Sequence, residues 1–283
     1  MFIYADNAAT TKMSRAAIEA MTPYFADCYG NPSSLYSLGQ RAKEAVEDGR
    51  ERIARLIGAA PREVYFTSGG SEADNQAIRS AAVIGAKAGK RHIVSDVIEH
   101  HAVLHTLRKL EREGFEVTPV PVSSAGIVEP SAVEAAIRED TCLVTVMAVN
   151  NEIGTIQPIR EIGEICRARG VLFHTDAVQA VGHFPISVRE IGCDLLSASA
   201  HKFHGPKGVG FLYARNGVKL ESLIEGGAQE RGKRAGTENV AGIVGMATAL
   251  EEAVAGIDAT SKRLIPLRDR LIAGLSKIPH VSI

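Results

Sequence analysis

Three stretches of this sequence carry side chains whose type and spacing could do chemistry. In Ser197-Ala198-Ser199-Ala200-His201-Lys202-Phe203-His204-Gly205-Pro206-Lys207-Gly208, one lysine stands among small and hydroxyl residues, just before a Gly-Pro turn. A lysine in such a setting can shed its proton and become an amine able to form a Schiff base. Lys207, between Pro and Gly in the turn, reads as structural. The stretch Phe66-Thr67-Ser68-Gly69-Gly70-Ser71-Glu72-Ala73-Asp74-Asn75 is a strand, a Gly-rich turn and a helix start. Free N–H groups at a helix start, with Thr and Ser hydroxyls beside them, make a phosphate cradle. Taken alone, it is equally a plain strand-to-helix turn, and without GKS or GKT it is no P-loop. In His174-Thr175-Asp176-Ala177-Val178-Gln179 an acid closes an apolar strand. Buried there, it needs a cationic partner; without one it is a cap for the next helix.

The elements that must position these groups alternate along the chain. Strands are expected over residues 64–67, 92–94, 116–120, 142–147, 171–174, 195–197 and 209–213, β-branched or aliphatic runs bounded by Gly, Pro or polar residues. Helices are expected over residues 14–25, 39–57, 72–88, 102–113, 131–138, 159–169, 239–255 and 265–278. Gly114 and Gly170 sit where left-handed C-cap residues belong, and Ser131 with Glu134 reads as a capping box. Strand–helix alternation predicts an α/β fold, a mostly parallel central sheet with helices on both faces. Catalytic groups then gather at the strand C-termini. Residues 14–255 are expected as one large domain, 1–13 as a segment on the side of a small domain, and 256–283 as the start of that small domain, left incomplete; Pro279-His280-Val281-Ser282-Ile283 reads as the entry to a further strand.

In chain order the three stretches give a phosphate turn, a strand-end Asp and a strand-end Lys. That is the layout of a fold-type I enzyme of pyridoxal 5′-phosphate: the acid would pair with a protonated pyridine nitrogen and make the cofactor a better electron sink. Residues 4–240 resemble the cysteine desulfurases, a branch of the class V aminotransferase superfamily. The resemblance lies in Tyr4-Ala5-Asp6-Asn7-Ala8-Ala9-Thr10-Thr11, Gly30-Asn31-Pro32-Ser33-Ser34, the 67–75 turn, Glu99-His100, Asn150-Asn151-Glu152-Ile153-Gly154, the 176–179 and 199–202 segments, and Gly226-Gly227-Ala228-Gln229-Glu230-Arg231-Gly232 with Arg234-Ala235-Gly236-Thr237. It implies that Lys202 carries the cofactor and moves protons, and that His100 stacks on the ring and serves in acid–base work. It implies further that Asp176 pairs with the ring nitrogen, Gln179 contacts the ring oxygen with Asn151 nearby, and Gly70, Ser71, Ser199 and His201 hold the phosphate. The segment at Gly236-Thr237 would reach the phosphate of a neighbouring subunit, which implies a homodimer. The implied reaction takes sulfur from L-cysteine, leaves L-alanine, and passes a persulfide to an acceptor such as an iron–sulfur scaffold protein.

The resemblance also places a nucleophilic Cys and a carboxylate-binding Arg in a C-terminal part that this sequence does not match. None of Cys28, Cys142, Cys166 and Cys193 occupies the nucleophile's place; Cys28 alone is expected in a loop. The sequence therefore reads as the front, cofactor-binding part of a desulfurase. The alternatives are a non-catalytic scaffold remnant, a selenocysteine lyase, or another class V aminotransferase. The four cysteines show no CxxC pairing, as expected of reduced thiols in the cytoplasm. With 32 basic and 33 acidic residues interspersed, nucleic acid is a poor partner, and no run approaches the ~20 apolar residues of a membrane span. His101 and His105 have metal-ligand spacing but no third ligand, and are expected to face solvent; no metal is expected.

Overall fold

A computed structural model describes residues 3–283. Its helices are α1 (Arg15–Met21), α2 (Pro23–Ala26), α3 (Ser37–Leu56), α4 (Gly70–Lys87), α5 (His101–Arg112), α6 (Pro130–Ala136), α7 (Ile159–Arg169), α8 (Val188–Ile191), α9 (Gln229–Gly232), α10 (Val240–Ala255) and α11 (Ile257–Leu275). Its strands are β1 (Val64–Thr67), β2 (His92–Asp96), β3 (Glu116–Val120), β4 (Thr141–Thr145), β5 (Leu172–Asp176), β6 (Leu195–Ser199) and β7 (Gly210–Ala214). They form one sheet in the order β1-β7-β6-β5-β4-β2-β3. Only β7 runs against its neighbours; the pairs from β6 to β3 are parallel.

Strand residues alternate between two cores, as a period of two requires. Ile93, Leu143, Leu195 and Leu212 pack on one face with α4 and α5. Val94, Val144, Leu196 and Phe211 pack on the other with residues of α1, α3, α7 and α10. β2, β4, β5 and β6 are covered on both sides, which explains their continuous apolar runs. β3 is the edge strand, and Pro119, which cannot donate to a ladder, is tolerated there. The C-terminal ends of β1, β2, β4, β5 and β6 lie along one edge of the sheet.

All seven expected strands form, two with the expected bounds and the rest moved by one or two residues. The expected strand at 142–147 ends at Thr145, although the Val146 and Ala148 N–H groups still donate to the His174 and Asp176 carbonyls. Three helix expectations and one strand expectation are corrected. The helix expected over 14–25 breaks at Thr22 into α1 and α2, because Pro23 opens a new first turn. Ser131 is no cap: Pro130 takes the first helical position, so the N-cap is Glu129, without a side-chain bond. α11 starts at Ile257 rather than 265, and runs through Pro266. Residues 279–283 make a turn and unpaired chain, and no strand. α11 has no buried residue, and Leu264, Leu267 and Leu271 stand exposed on it. Among the described residues, no single helix is long and apolar enough to cross a membrane.

One buried ion pair ties the loop of residues 226–239 to this body. Arg50 donates through two nitrogens to both oxygens of Glu230, each at 2.8 Å, and through one of them to the Val64 carbonyl. Glu230 also accepts the Phe66 N–H, and the guanidinium lies 4.5 Å from the centre of the Phe66 ring. Glu230 and Arg231 hold φ angles of 46° and 58°, left-handed for non-glycine residues, a strain that persists only where neighbours fix it. Glu230→Ala is therefore expected to cost about 3 kcal/mol in urea unfolding, because it removes the buried partner and leaves the guanidinium only the half-exposed Glu47 at 3.2 Å. Replacing both partners with apolar residues should cost less; an equal or larger loss in the double variant would contradict this account.

Candidate active site

The sheet edge opens into a cavity of about 580 Å³ whose wall includes Gly70, Ser71, His100, Asn151, Asp176, Gln179, Ser199, His201 and Lys202. Every proposed site residue but one is thus brought together. The exception is Thr237, which lines a separate pocket of about 190 Å³ with Thr67, Ser68 and Gly208. Lys207 stays exposed in its turn, away from the cavity. The wall also holds Asp6, Asp74, Met147, Glu152 and Val178, to which sequence reasoning gave no role. A signal existed for Asp74, which stands four residues after Gly70 and so on the same face of a helix.

One end of the cavity is built for an anion. α4 begins at Gly70 after Gly69, whose φ of 150° needs glycine. The first-turn N–H groups of an α-helix have no intrahelical acceptor, and they carry the positive end of its dipole. The turn sits flush against the sheet because Gly210 of β7 has no side chain: a Cβ there would stand 2.8 Å from Gly69 Cα. Gly70 is as constrained, since a Cβ on it would meet Val178 Cγ2 at 2.6 Å. Ser71, Ser199 and His201 surround this end. Burial, with Lys202 and Lys207 nearby, lowers the His201 imidazole below its usual range.

The other end holds a carboxyl. Asp176, 5% exposed at the tip of β5, accepts the Val178 N–H at 2.9 Å. Burial raises its pKa above the usual carboxylate range, against the pull of that N–H, His100 and Lys202. Lys202 lies in a single helical turn, Ala200–Lys202, directly after β6. Its Nζ donates to the carbonyls of Ala8 and of Ala9, the latter at 2.9 Å. Burial lowers the amine's pKa, while Asp176, Asp6 and Glu152 hold it up. His100 is the N-cap of α5, and its Nδ1 accepts the Ala102 N–H at 3.1 Å. In the neutral ring the proton is thereby left on Nε2.

The N-terminal segment closes one wall. Thr11 donates its N–H and hydroxyl to the His201 carbonyl at 2.9 and 2.8 Å, Thr10 bonds the His201 ring, and Gln179 Nε2 donates to the Ala8 carbonyl at 2.9 Å. Its carbonyls supply contacts that no side-chain motif announces.

The sequence model described as "Aminotransferase class-V" matches residues 3–283. A "Cysteine desulfurase IscS" of Methanosarcina thermophila is 54% identical over 277 residues, covering 98% of this chain and 68% of that protein. Its namesake from Clostridium botulinum strain Hall is 52% identical over 282 residues, covering 99% of this chain and 71% of that protein. The chain belongs to the cysteine desulfurase branch of the class-V aminotransferase family. A solved "NIFS-LIKE PROTEIN" superposes with a TM-score of 0.95 at 44% identity, over 98% of this chain and 76% of that one. A structure titled "SspA in complex with cysteine" does so with a TM-score of 0.86 at 41% identity, over 88% and 72%.

No cysteine lines the cavity wall formed by the described residues. Cys142, Cys166 and Cys193 are buried, and burial pushes the first two thiols up to about 11 and about 12. They are inert packing groups. Cys28 lies in a different groove, with Tyr24, Tyr29 and Asn239, so its expected loop position does not bring it to the site. His101 and His105 are exposed, as expected.

The depressed Lys202 amine generates a prediction. Reagents that acylate neutral amines should modify Lys202 at a lower pH than an ordinary lysine amine of pKa about 10.4. Asp176→Asn removes a charge that favours the ammonium, so the Lys202 midpoint should move lower still. Site-resolved mass spectrometry against pH reads both; a midpoint that rises in D176N would refute the electrostatic assignment.

Proposed function

We propose that this chain binds pyridoxal 5′-phosphate in the cavity and works as a cysteine desulfurase, removing sulfur from L-cysteine to leave L-alanine. The observation that carries this reading is one cavity with an anion cradle at one end, a buried carboxyl at the other and a depressed lysine amine in its wall. The residues fit the cofactor. The α4 N–H groups with Ser71, Ser199 and His201 suit its phosphate, and the Asp176 carboxylate suits a protonated ring nitrogen, the cation that a buried acid needs. Gln179 and Asn151 suit the ring oxygen, and His100 a face of the ring.

Bound there, pyridoxal phosphate supplies an electron sink that acidifies the substrate's Cα–H. The chain's own groups do the rest. Lys202 Nζ anchors the cofactor and, once freed, holds or delivers a proton at the substrate carbon. Its lowered pKa favours the neutral amine, the form that attacks carbonyls. His100 Nε2 is the second proton carrier. The 8–11 segment and Gln179 keep water from one wall. L-Cysteine as substrate is supported by the related structure solved with cysteine.

The sulfur-accepting thiol enters the cavity from outside the wall described here, and the persulfide is handed to an acceptor such as an iron–sulfur scaffold protein. Thr237, away from its own chain's cavity, is assigned to the phosphate of a second subunit in a homodimer. The exposed Leu35 (90%) and Tyr29 (70%) supply apolar surface for such an interface. The four free cysteines fit a reducing, cytoplasmic setting.

The test is cofactor loading followed by L-cysteine. The protein should turn yellow, and borohydride should fix the cofactor on Lys202. Lys202→Ala should abolish the fixed adduct, and L-cysteine should displace the lysine-linked spectrum of the unreduced wild type. Alanine and a persulfide on the accepting thiol should then form when that thiol is supplied, and excess thiol reductant should release the outer sulfur as sulfide while being oxidised to disulfide. An adduct that persists in K202A would sink the lysine assignment; a loaded protein blind to L-cysteine would sink the substrate.

A further inference from the structure

The wall next to Asp176 contains a second acid that the reading above does not use. Asp74, on α4, is 1% exposed, yet its carboxyl lines the cavity. Its Oδ1 has no hydrogen-bond partner. His174 Nε2 stands 3.6 Å from that oxygen, and the Ser197 hydroxyl is beside the carboxyl. His174 looks like a counter-ion but cannot be one. It is wholly enclosed between β4 and β6, with Nδ1 on the Thr145 hydroxyl at 2.8 Å and Nε2 on the Ser197 hydroxyl at 3.0 Å. Burial pushes its imidazole down to about 3, so it is neutral and brings Asp74 no positive charge.

The remaining groups around Asp74 make its isolation worse. Asp176 faces it from the end of β5. Asp96 closes β2, and Glu99, buried in the turn before α5, has both carboxyl oxygens unpartnered. Lys202 and His100 temper the burial of Asp176, which also has a backbone donor in Val178. Two carboxyls facing each other in a low-dielectric wall do not both ionise, and the proton stays on Asp74, which has the Ser197 hydroxyl but neither Lys202 nor His100 to offset its burial.

We propose that Asp74 is a positioning residue held as the neutral acid by this wall, so that Asp176 is the carboxylate the cavity presents to a cationic ring. The His174–Ser197–Thr145 network fixes the arrangement: a neutral imidazole spends both nitrogens on hydroxyls, so the floor beneath Asp74 is polar but uncharged. The proton state of Asp74 is a property of the cofactor-free chain; its purpose rests on the pairing of Asp176 with the ring nitrogen.

Asp74→Asn, an uncharged isostere, tests it in two ways. In the cofactor-free protein, the infrared band of a protonated carboxyl should lose intensity in D74N. The second readout is stability against pH. A native acid that keeps a proton which the unfolded chain releases above its ordinary pKa of about 4 makes the wild type less stable as pH rises. D74N lacks that group, so its folding constant should gain on the wild type by about tenfold per pH unit above that point, until Asp74 ionises in the native state. D74N should also retain pyridoxal phosphate binding, whereas Asp74→Ala and Asp176→Asn should lose it. An unchanged infrared band and pH slope in D74N would overturn the proposal, as would a D74N chain that fails to fold. If D176N instead binds the cofactor fully while the band still reports on Asp74, the ring-nitrogen pairing falls and the protonated Asp74 stands.

Discussion

Everything at this site follows from placing a carboxylate at the buried tip of β5. An acid 5% exposed in a sheet covered on both faces is stable as an anion only beside positive charge. The fold meets that demand by aiming strand ends at one another. β6 ends one strand away from β5, and the turn that follows it delivers Lys202; the N-cap of α5 delivers His100. Both temper the burial of Asp176. The same proximity holds the lysine amine up against its own burial. A cationic ligand ring that takes over the pairing with Asp176 would free the amine from part of that restraint. The Asp176 carboxyl and the Lys202 amine are therefore one electrostatic unit, and neither can be tuned alone.

Much of this was legible in the sequence because the residues involved obey local rules. Seven β-branched or aliphatic runs marked seven strands, and Gly170, with φ of 64°, ends α7 as its position after the last periodic residue required. Gly69-Gly70 announced a turn that only glycine fits. What escaped was whatever depends on contacts distant in sequence or on backbone atoms. The carbonyls of Ala8 and Ala9 hold Lys202 across more than 190 residues, and a carbonyl has no signature in the sequence. Asp74 sat within a recognised stretch but was unassigned, since only the packing of α4 against β5 and β6 shows that it is buried with one oxygen unpartnered. The capping box at Ser131 failed for a local reason: Pro130 competes for the helix start and wins, because its fixed φ suits the first helical position.

Helix α4 couples parts of the site that would otherwise be independent. Its first turn offers N–H groups to the anion end, and Asp74 reaches the carboxyl end. Glu72 turns the other way. It accepts the Ser68 N–H at 2.7 Å and binds Arg234 at 2.9 Å. Burial opposes its ionisation, yet the bonds from Arg234 and Ser68 bring its pKa below the usual range. Gln76 donates to the carbonyls of Glu221 and Lys233. One helix therefore fixes the anion end of the cavity and the loop that carries Thr237, while the Arg50–Glu230 pair holds that loop from the opposite side.

This double anchoring explains why strain is tolerated at Glu230 and Arg231. Left-handed φ values at two consecutive non-glycine residues cost of order 1–3 kcal/mol each. Arg231 offsets part of that by donating to the Val64 carbonyl and stacking its guanidinium 4.2 Å from the Tyr65 ring centre. The anchoring fixes the course of the chain, with Gly236 and Thr237 lining a pocket apart from the cavity. In the proposed homodimer such a loop would keep its shape before the second copy arrives, since any freedom left in it would have to be frozen on association.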